Sequence, residues 1–239
     1  MAIYACSDLH GMLPFYKAVK EILHPEDKVY FLGDAGDRGP ASWETIKAIL
    51  EDPQFIYLKG NHEVMLIDAL EEYIEDGYVS HYTSLLLEIN GGDETLEEAL
   101  KDKDMPFWLS RLKKLDYIAE YRRADGKLLI LSHAGFTPWK DKDKYLIPTK
   151  GEVMWDRDHI LDIWTDEECY DCYIIHGHTP TLYLLEDIDP TGKIPYEGGS
   201  IWYAGGRKCC IDCGAFFMSE FVLLDLDTFD EEVFTGEFK

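Results

Sequence analysis

Near the N-terminus, three short apolar runs, each cut off by a glycine-containing polar segment and followed by an amphipathic stretch, leave this chain few folds to choose from. Ile3 to Cys6 ends in Ser7-Asp8-Leu9-His10-Gly11, and Lys28 to Leu32 ends in Gly33-Asp34-Ala35-Gly36-Asp37-Arg38-Gly39. Phe55 to Leu58 ends in Lys59-Gly60-Asn61-His62-Glu63. Runs of this length, rich in β-branched and aromatic residues, read as buried strands. Between them, a helical pattern opens at Pro14, runs through Phe15, Val19, Ile22 and Leu23, and closes near Pro25. A second has Pro40 near its start, Ser42 as its cap, and Trp43, Ile46, Ile49 and Leu50 on its apolar face. Strand-helix alternation predicts a mostly parallel sheet, whose strands share one carboxyl edge. Asp8, His10, Asp34 and Asn61 should therefore meet at that edge. Asp8 and His10 lie two apart, and in extended chain both point to the same side.

From Val64 to about Tyr121 the chain reads as mainly helical and acidic. Met65, Leu66, Ala69, Leu70 and Tyr73 form a core stripe, Asn90-Gly91-Gly92 breaks the pattern, and Asp93 to Asp104 reads as a solvated surface. Strands then return. Leu128 to Leu131 leads into Ser132-His133-Ala134-Gly135, and Tyr173 to Ile175 leads into His176-Gly177-His178-Thr179. Trp202 to Ala204, Cys209 to Ile211 and Phe221 to Leu226 are further strands, the last two read as partners across a turn. The order predicts an α/β protein of two packed mixed β-sheets flanked by α-helices. No Pro/Gly/Ser-rich linker divides the 239 residues, so a single domain over 1–239 is expected, with a mainly helical insertion at about 64–121.

Asp and Glu number 47 against 23 Lys and Arg, a formal charge of -24, which repels nucleic acid and anionic membrane surfaces. No run approaches the ~18 apolar residues of a membrane span. The chain enters a strand at once, without a leader pattern, so a cytoplasmic location is expected. Six cysteines then read as reduced thiols. Cys169-x-x-Cys172 and Cys210-x-x-Cys213 have zinc-ribbon spacing, but the second pair falls in a strand, facing opposite sides, and Cys209 adds a third thiol. These features weigh against structural zinc.

The strand-end donors are Asp8, His10, Asp34, Asn61, His133 and His178. Hard oxygens mixed with imidazoles suit Mn²⁺, Fe or Zn²⁺ better than Ca²⁺ or Mg²⁺. Six ligands exceed the four of a structural zinc and suit two metals sharing a carboxylate.

Asp8-Leu9-His10-Gly11, Gly33 to Gly39, Gly60-Asn61-His62-Glu63, His133-Ala134-Gly135 and Gly177-His178-Thr179 together resemble the successive motifs of the phosphoprotein phosphatase family of calcineurin-like metallophosphoesterases. The likeness runs in order from about Ile3 to Gly214 and is closest to the small bacterial and phage branch. It implies the family's β-sandwich with flanking helices and two divalent metal ions, Mn with Fe and Zn as alternatives. It also implies a first metal on Asp8, His10 and Asp34, and a second on Asp34, Asn61, His133 and His178. A metal-bridging hydroxide would attack phosphorus directly. His62 matches the family's general acid, Asp37 the carboxylate that orients it, and Arg38 a phosphate clamp.

In Met154-Trp155-Asp156-Arg157-Asp158, Arg157 resembles a second phosphate-contacting arginine, or is a surface residue in an acidic segment. His176 and Ile211 to Gly214 would lie just behind the metal ligands, His176 hydrogen-bonding near the site or simply packing. Ser7 in place of Gly, Ala134-Gly135 in place of two glycines, and no segment like the one that lines the eukaryotic enzymes' substrate groove depart from the eukaryotic pattern and put protein substrates in question.

Three functions follow. The first is hydrolysis of phosphoserine or phosphothreonine in a protein or peptide. The second is symmetrical cleavage of a dinucleoside polyphosphate such as diadenosine tetraphosphate, where Tyr82, Phe136, Trp139 or Trp155 could stack on adenine. The third is a non-catalytic binding module. Retention of Asp37, Arg38 and His62 favours an enzyme.

Overall fold

The computed structural model describes residues 1–236. The chain alternates β1 (Ile3–Cys6), α1 (Leu13–Ile22), β2 (Lys28–Phe31), α2 (Ser42–Glu51) and β3 (Phe55–Tyr57). Four helices follow: α3 (Asn61–Asp76), α4 (His81–Asn90), α5 (Asp93–Lys101) and α6 (Met105–Leu112). Then come β4 (Ile118–Arg122), β5 (Leu128–Ser132), the short pair β6 (Lys140–Asp141) and β7 (Lys144–Tyr145), α7 (Lys150–Trp155) and a single 3-10 turn at Asp158–Ile160. The chain continues through β8 (Cys172–His176), α8 (Thr181–Ile188), β9 (Ile201–Tyr203), β10 (Lys208–Cys210), β11 (Glu220–Asp225) and β12 (Glu231–Thr235).

Two five-stranded mixed sheets result, in the orders β12-β11-β1-β2-β3 and β4-β5-β8-β10-β9. In the first, β1, β2 and β3 are parallel and β11 joins antiparallel to β1. In the second, β5, β8 and β10 are parallel and β4 and β9 are antiparallel edges. Between the sheets lies an apolar layer that includes Ala5, Leu32, Leu131, Ile175, Cys209, Ile211, Val222 and Leu224. The other face of the first sheet is covered by helices, with Phe15, Ile46, Leu66 and Trp108 packed on Phe31 and Val29. Two mixed sheets between helices match the sequence expectation.

Several local expectations change. Cys209 to Ile211 and Phe221 to Leu226 do not pair across a turn: β10 pairs with β8 and β9, while β11 pairs with β1 and β12 in the other sheet. A turn at Gly214, with a left-handed backbone (φ 75), lies on the crossing between the sheets. Ser42 does not cap α2. Its hydroxyl donates to the Gly39 carbonyl at 2.9 Å, and the cap position is Ala41. The helical run stops at Leu112, and Ile118–Arg122 is a strand. Asp8 and His10 lie beyond the end of β1 with left-handed backbones, so a turn and not the strand pleat aims them.

Candidate metal centre

The loops after β1, β2, β5 and β8 and the first turn of α3 meet at one edge, where the parallel strands of both sheets end. Asp34 is at the middle. Its Oδ2 lies 3.2 Å from His133 Nε2 and 3.8 Å from both His10 Nε2 and His62 Nε2. Two groups of donors therefore share it, His10–Asp34–His62 and Asp34–His133–His178. Asn61 Oδ1 is 2.8 Å from His133 Nε2, and Asp8 Oδ1 is 4.0 Å from His10 Nε2. All six expected ligands are thus in one buried cluster. Among the described residues, neither metal-capable group contains a cysteine, and all six cysteines are buried free thiols.

The donor chemistry fits a cation. His10 Nδ1 lies 2.9 Å from the Gly36 carbonyl and His133 Nδ1 2.9 Å from that of Leu32, so each donates there and turns its Nε2 inward. His133 Nε2 then confronts only acceptors: Asp34 Oδ2, Asn61 Oδ1 and, at 3.1 Å, His178 Nδ1. Such a concentration of lone pairs needs positive charge. Asp8 Oδ1 is buried without a hydrogen-bond partner among the described residues, as a carboxylate oxygen that ligates an ion would be.

Electrostatics run the same way. Burial opposes charge on His133, but Asp34 and Asp8 outweigh it and push the imidazole up to about 10, so the positive charge this cluster calls for is supplied by a proton on Nε2, which a bound cation would displace. Burial also opposes ionisation of Asp34, yet His133, His62 and His10 hold its carboxyl well below the usual range. Burial raises Asp8 to about 6. Burial, joined by His62 and Arg38 at His10 and by His133 and Arg157 at His178, keeps these two imidazoles well below their ordinary value and so neutral, the form that ligates metals.

Backbone strain marks the same residues. Asp8, His10, Asp34, Asp37, Arg38 and His178 are six of the ten non-glycine residues with left-handed backbones among those described. Such conformations cost about 1–3 kcal/mol each and concentrate at functional sites.

Around the cluster stand the remaining polar residues. His62 Nδ1 lies 2.6 Å from Asp37 Oδ2. Burial lowers the His62 pKa, but Asp34 and Asp37 prevail and raise it. This separates His62 from the neutral imidazoles, although its position would also admit a metal. Arg38 spans the rim, with Nη1 2.7 Å from His10 Nε2 and Nη2 3.0 Å from His62 Nε2. Arg157 donates to Thr179 Oγ1 at 3.2 Å and to the His178 carbonyl at 3.4 Å. The half-exposed Trp155 ring stands nearly perpendicular to that of His178, with 6.4 Å between centroids. His176 is buried in β8 and bonded to Tyr203, with Nε2 2.8 Å from its hydroxyl, and does not join the cluster. Buried Asp212 accepts from Gly214 N at 2.9 Å.

Two contributors were missed by sequence reading. Glu63 accepts from the amides of Asp34, Ala35 and Gly60 and from the Tyr57 hydroxyl, at 2.6 to 2.9 Å. It clips the loop after β2 to the start of α3. The turn Gly91-Gly92 between α4 and α5 cradles Asp37 and Arg38: Arg38 N donates to the Gly91 carbonyl at 2.8 Å, and a Cβ on Gly92 would stand 2.8 Å from Asp37 Oδ2. The Gly-Gly pair was a visible signal, but one that does not name its partner.

A family model described as "Calcineurin-like phosphoesterase" matches residues 1–182. The symmetrical bis(5'-nucleosyl)-tetraphosphatase of Pseudomonas syringae pv. syringae (strain B728a) is 30% identical over 191 residues, covering 77% of this chain and 56% of that protein. Serine/threonine-protein phosphatase 2 of Salmonella typhimurium is 29% identical over 163 residues, 66% of this chain and 69% of that protein. The chain spans about half the length of the symmetrical tetraphosphatases it matches. A solved protein serine/threonine phosphatase from Saccharomyces cerevisiae superposes with a TM-score of 0.56 at 13% identity, covering all of this chain (100%) and 81% of that one, which speaks to the fold.

Proposed function

Because the chain belongs to the calcineurin-like phosphoesterase family, we propose that it is a divalent-metal-dependent phosphoester hydrolase whose substrate is a protein carrying phosphoserine or phosphothreonine. The observation that carries the reading is Asp34, a carboxylate shared by two donor groups with the His62–Asp37 pair at its flank. In this reading the chain is one catalytic domain with α3 to α6 inserted between β3 and β4.

Asp8, His10 and Asp34 would hold one cation and Asp34, Asn61, His133 and His178 the other, both most simply Mn²⁺, with Fe or Zn²⁺ as alternatives. Bound there, such ions neutralise phosphate charge and acidify water. The chain's own groups do the rest. Arg38 offers a planar guanidinium fork to phosphate oxygens, and its position 3.0 Å from His62 Nε2 brings both groups to the same substrate oxygen region. An anion entering between them gives both donors an acceptor. Asp37 holds the Nδ1 proton of His62, leaving Nε2–H to protonate the leaving oxygen. Arg157 is read as a second phosphate contact on the His178–Thr179 rim. Six buried free thiols support a reducing compartment, the cytoplasm.

A second reading, symmetrical cleavage of a dinucleoside tetraphosphate, is favoured by Trp155, whose 42% exposed ring beside His178 could stack on a base, and by the names of several relatives. The test is kcat/KM for a phosphoserine peptide and for diadenosine tetraphosphate after metal stripping and reloading with Mn²⁺. We expect the peptide to be preferred, and His62→Ala to keep both metals while losing about two to four orders of magnitude in turnover. Preference for the dinucleotide would replace the first reading by the second. Hydrolysis of neither, with two metals bound, would leave a binding module.

A further inference from the structure

Lys208 is a fully buried lysine within β10, at 0% exposure. Burial, opposed by the nearby carboxylate of Asp162, pushes its pKa down to about 8. An apolar side chain could fill the same place without desolvating an ammonium, so its presence calls for a reason other than stability. Its contacts give one. Lys208 Nζ donates to the His159 carbonyl at 2.6 Å and to Thr137 Oγ1 at 2.8 Å, and faces His159 Nδ1 at 3.3 Å.

These partners belong to two loops. Thr137 is on the loop that begins at His133, and its hydroxyl donates a hydrogen bond to Asp162 Oδ2 at 2.6 Å. His159 belongs to the 3-10 turn. With its Nδ1 turned to Lys208, it donates Nε2–H to the Ala134 carbonyl at 2.7 Å. The loops touch so closely at Gly135 that a Cβ there would stand 2.9 Å from His159 Cε1. Arg157 is two residues before His159, and the Ile160 amide donates back to the Arg157 carbonyl at 3.1 Å. The guanidinium of Arg157 has hydrogen bonds at its far end to Thr179 and His178, and the backbone that carries it is fastened through His159 and Asp162.

We propose that Lys208 is a positioning residue for Arg157: it staples the segment 156–162 onto the loop that follows His133 and so fixes the guanidinium on the rim where a substrate phosphate binds. The inference rests on the phosphate-binding reading of Arg157 given above. It makes Lys208 a determinant of phosphate affinity with no contact to phosphate.

The experiment is calorimetric binding of inorganic phosphate to the Mn²⁺-loaded protein, with metal content measured, for wild type, Lys208→Met, Arg157→Ala and the double variant. Kd should rise about tenfold in each single variant, the loss of one charged hydrogen bond, with metal content unchanged. The double variant should bind no more weakly than Arg157→Ala alone, because the two changes remove one interaction. Thr137→Val breaks the same staple while keeping shape, and should weaken binding about threefold without further loss on an Arg157→Ala background. It carries the test if Lys208→Met does not fold. Wild-type affinity in Lys208→Met or, should that variant not fold, in Thr137→Val, beside a loss in Arg157→Ala, overturns the positioning role and leaves the clamp standing. Additive losses in the double variant also overturn it. Wild-type affinity in Arg157→Ala overturns the clamp itself, and the positioning role with it.

Discussion

At the residue scale, the site is built from unfavourable choices that support one another. Asp37 and Arg38 both have left-handed backbones, φ 69 each, held by the Thr95 hydroxyl and the Gly91 carbonyl. The resulting Asp37–His62 contact joins Asp34 in favouring the protonated imidazole. Burial alone would lower the His62 pKa, and the carboxylates of Asp34 and Asp37 raise it above the ordinary value. The general acid proposed for His62 works while protonated, so on that proposal turnover should fall as pH rises through the folded pKa of His62. Asp37→Asn removes one of the raising charges. Its kcat–pH profile should therefore lose activity at lower pH than wild type, with kcat at least about tenfold down at the optimum and metal content unchanged. An alkaline limb that stays in place would assign that limb to another group.

At the element scale, α3 is tied to the loop after β2 by one side chain. Glu63 satisfies three backbone amides that neither the helix nor the sheet ladder can reach, and it is 1% exposed. Glu63→Ala leaves these amides and the Tyr57 hydroxyl with no partner of that kind. A loss of about 3 kcal/mol or more in urea unfolding is expected. A loss under ~1 kcal/mol would mean that water replaces the carboxylate and that the clip is not structural. Element-level reading of the sequence was good for α1, α2 and β1 to β3, whose apolar residues follow one period. It failed for β4 and β12, which sit at sheet edges with largely half-exposed or exposed residues and so lack a continuous apolar run. It also paired β10 with β11, because sheet membership depends on partners far along the chain.

At the scale of the whole molecule, the site exists because two sheets end at one edge, and the apolar layer between them sets their alignment. Leu131, fully buried in that layer, is two residues before His133. Leu131→Ala should cost about 2–5 kcal/mol by thermal or urea unfolding. A cost under ~1 kcal/mol would show that the layer can collapse around the gap. The sequence by itself determined the kind of donor at each strand end, the alternation that produces parallel strands, and the helices that cover them, since these follow from side-chain chemistry and local periodicity. The motif resemblance already put Asp34 between two sets of imidazoles, but only the tertiary structure decided that Glu63 and Gly92 serve the loop after β2, and that Lys208 reaches the segment of Arg157. Those relations join residues tens of positions apart. Which of them come within hydrogen-bond distance is fixed by the packing of the two sheets, and no local pattern in the chain encodes it.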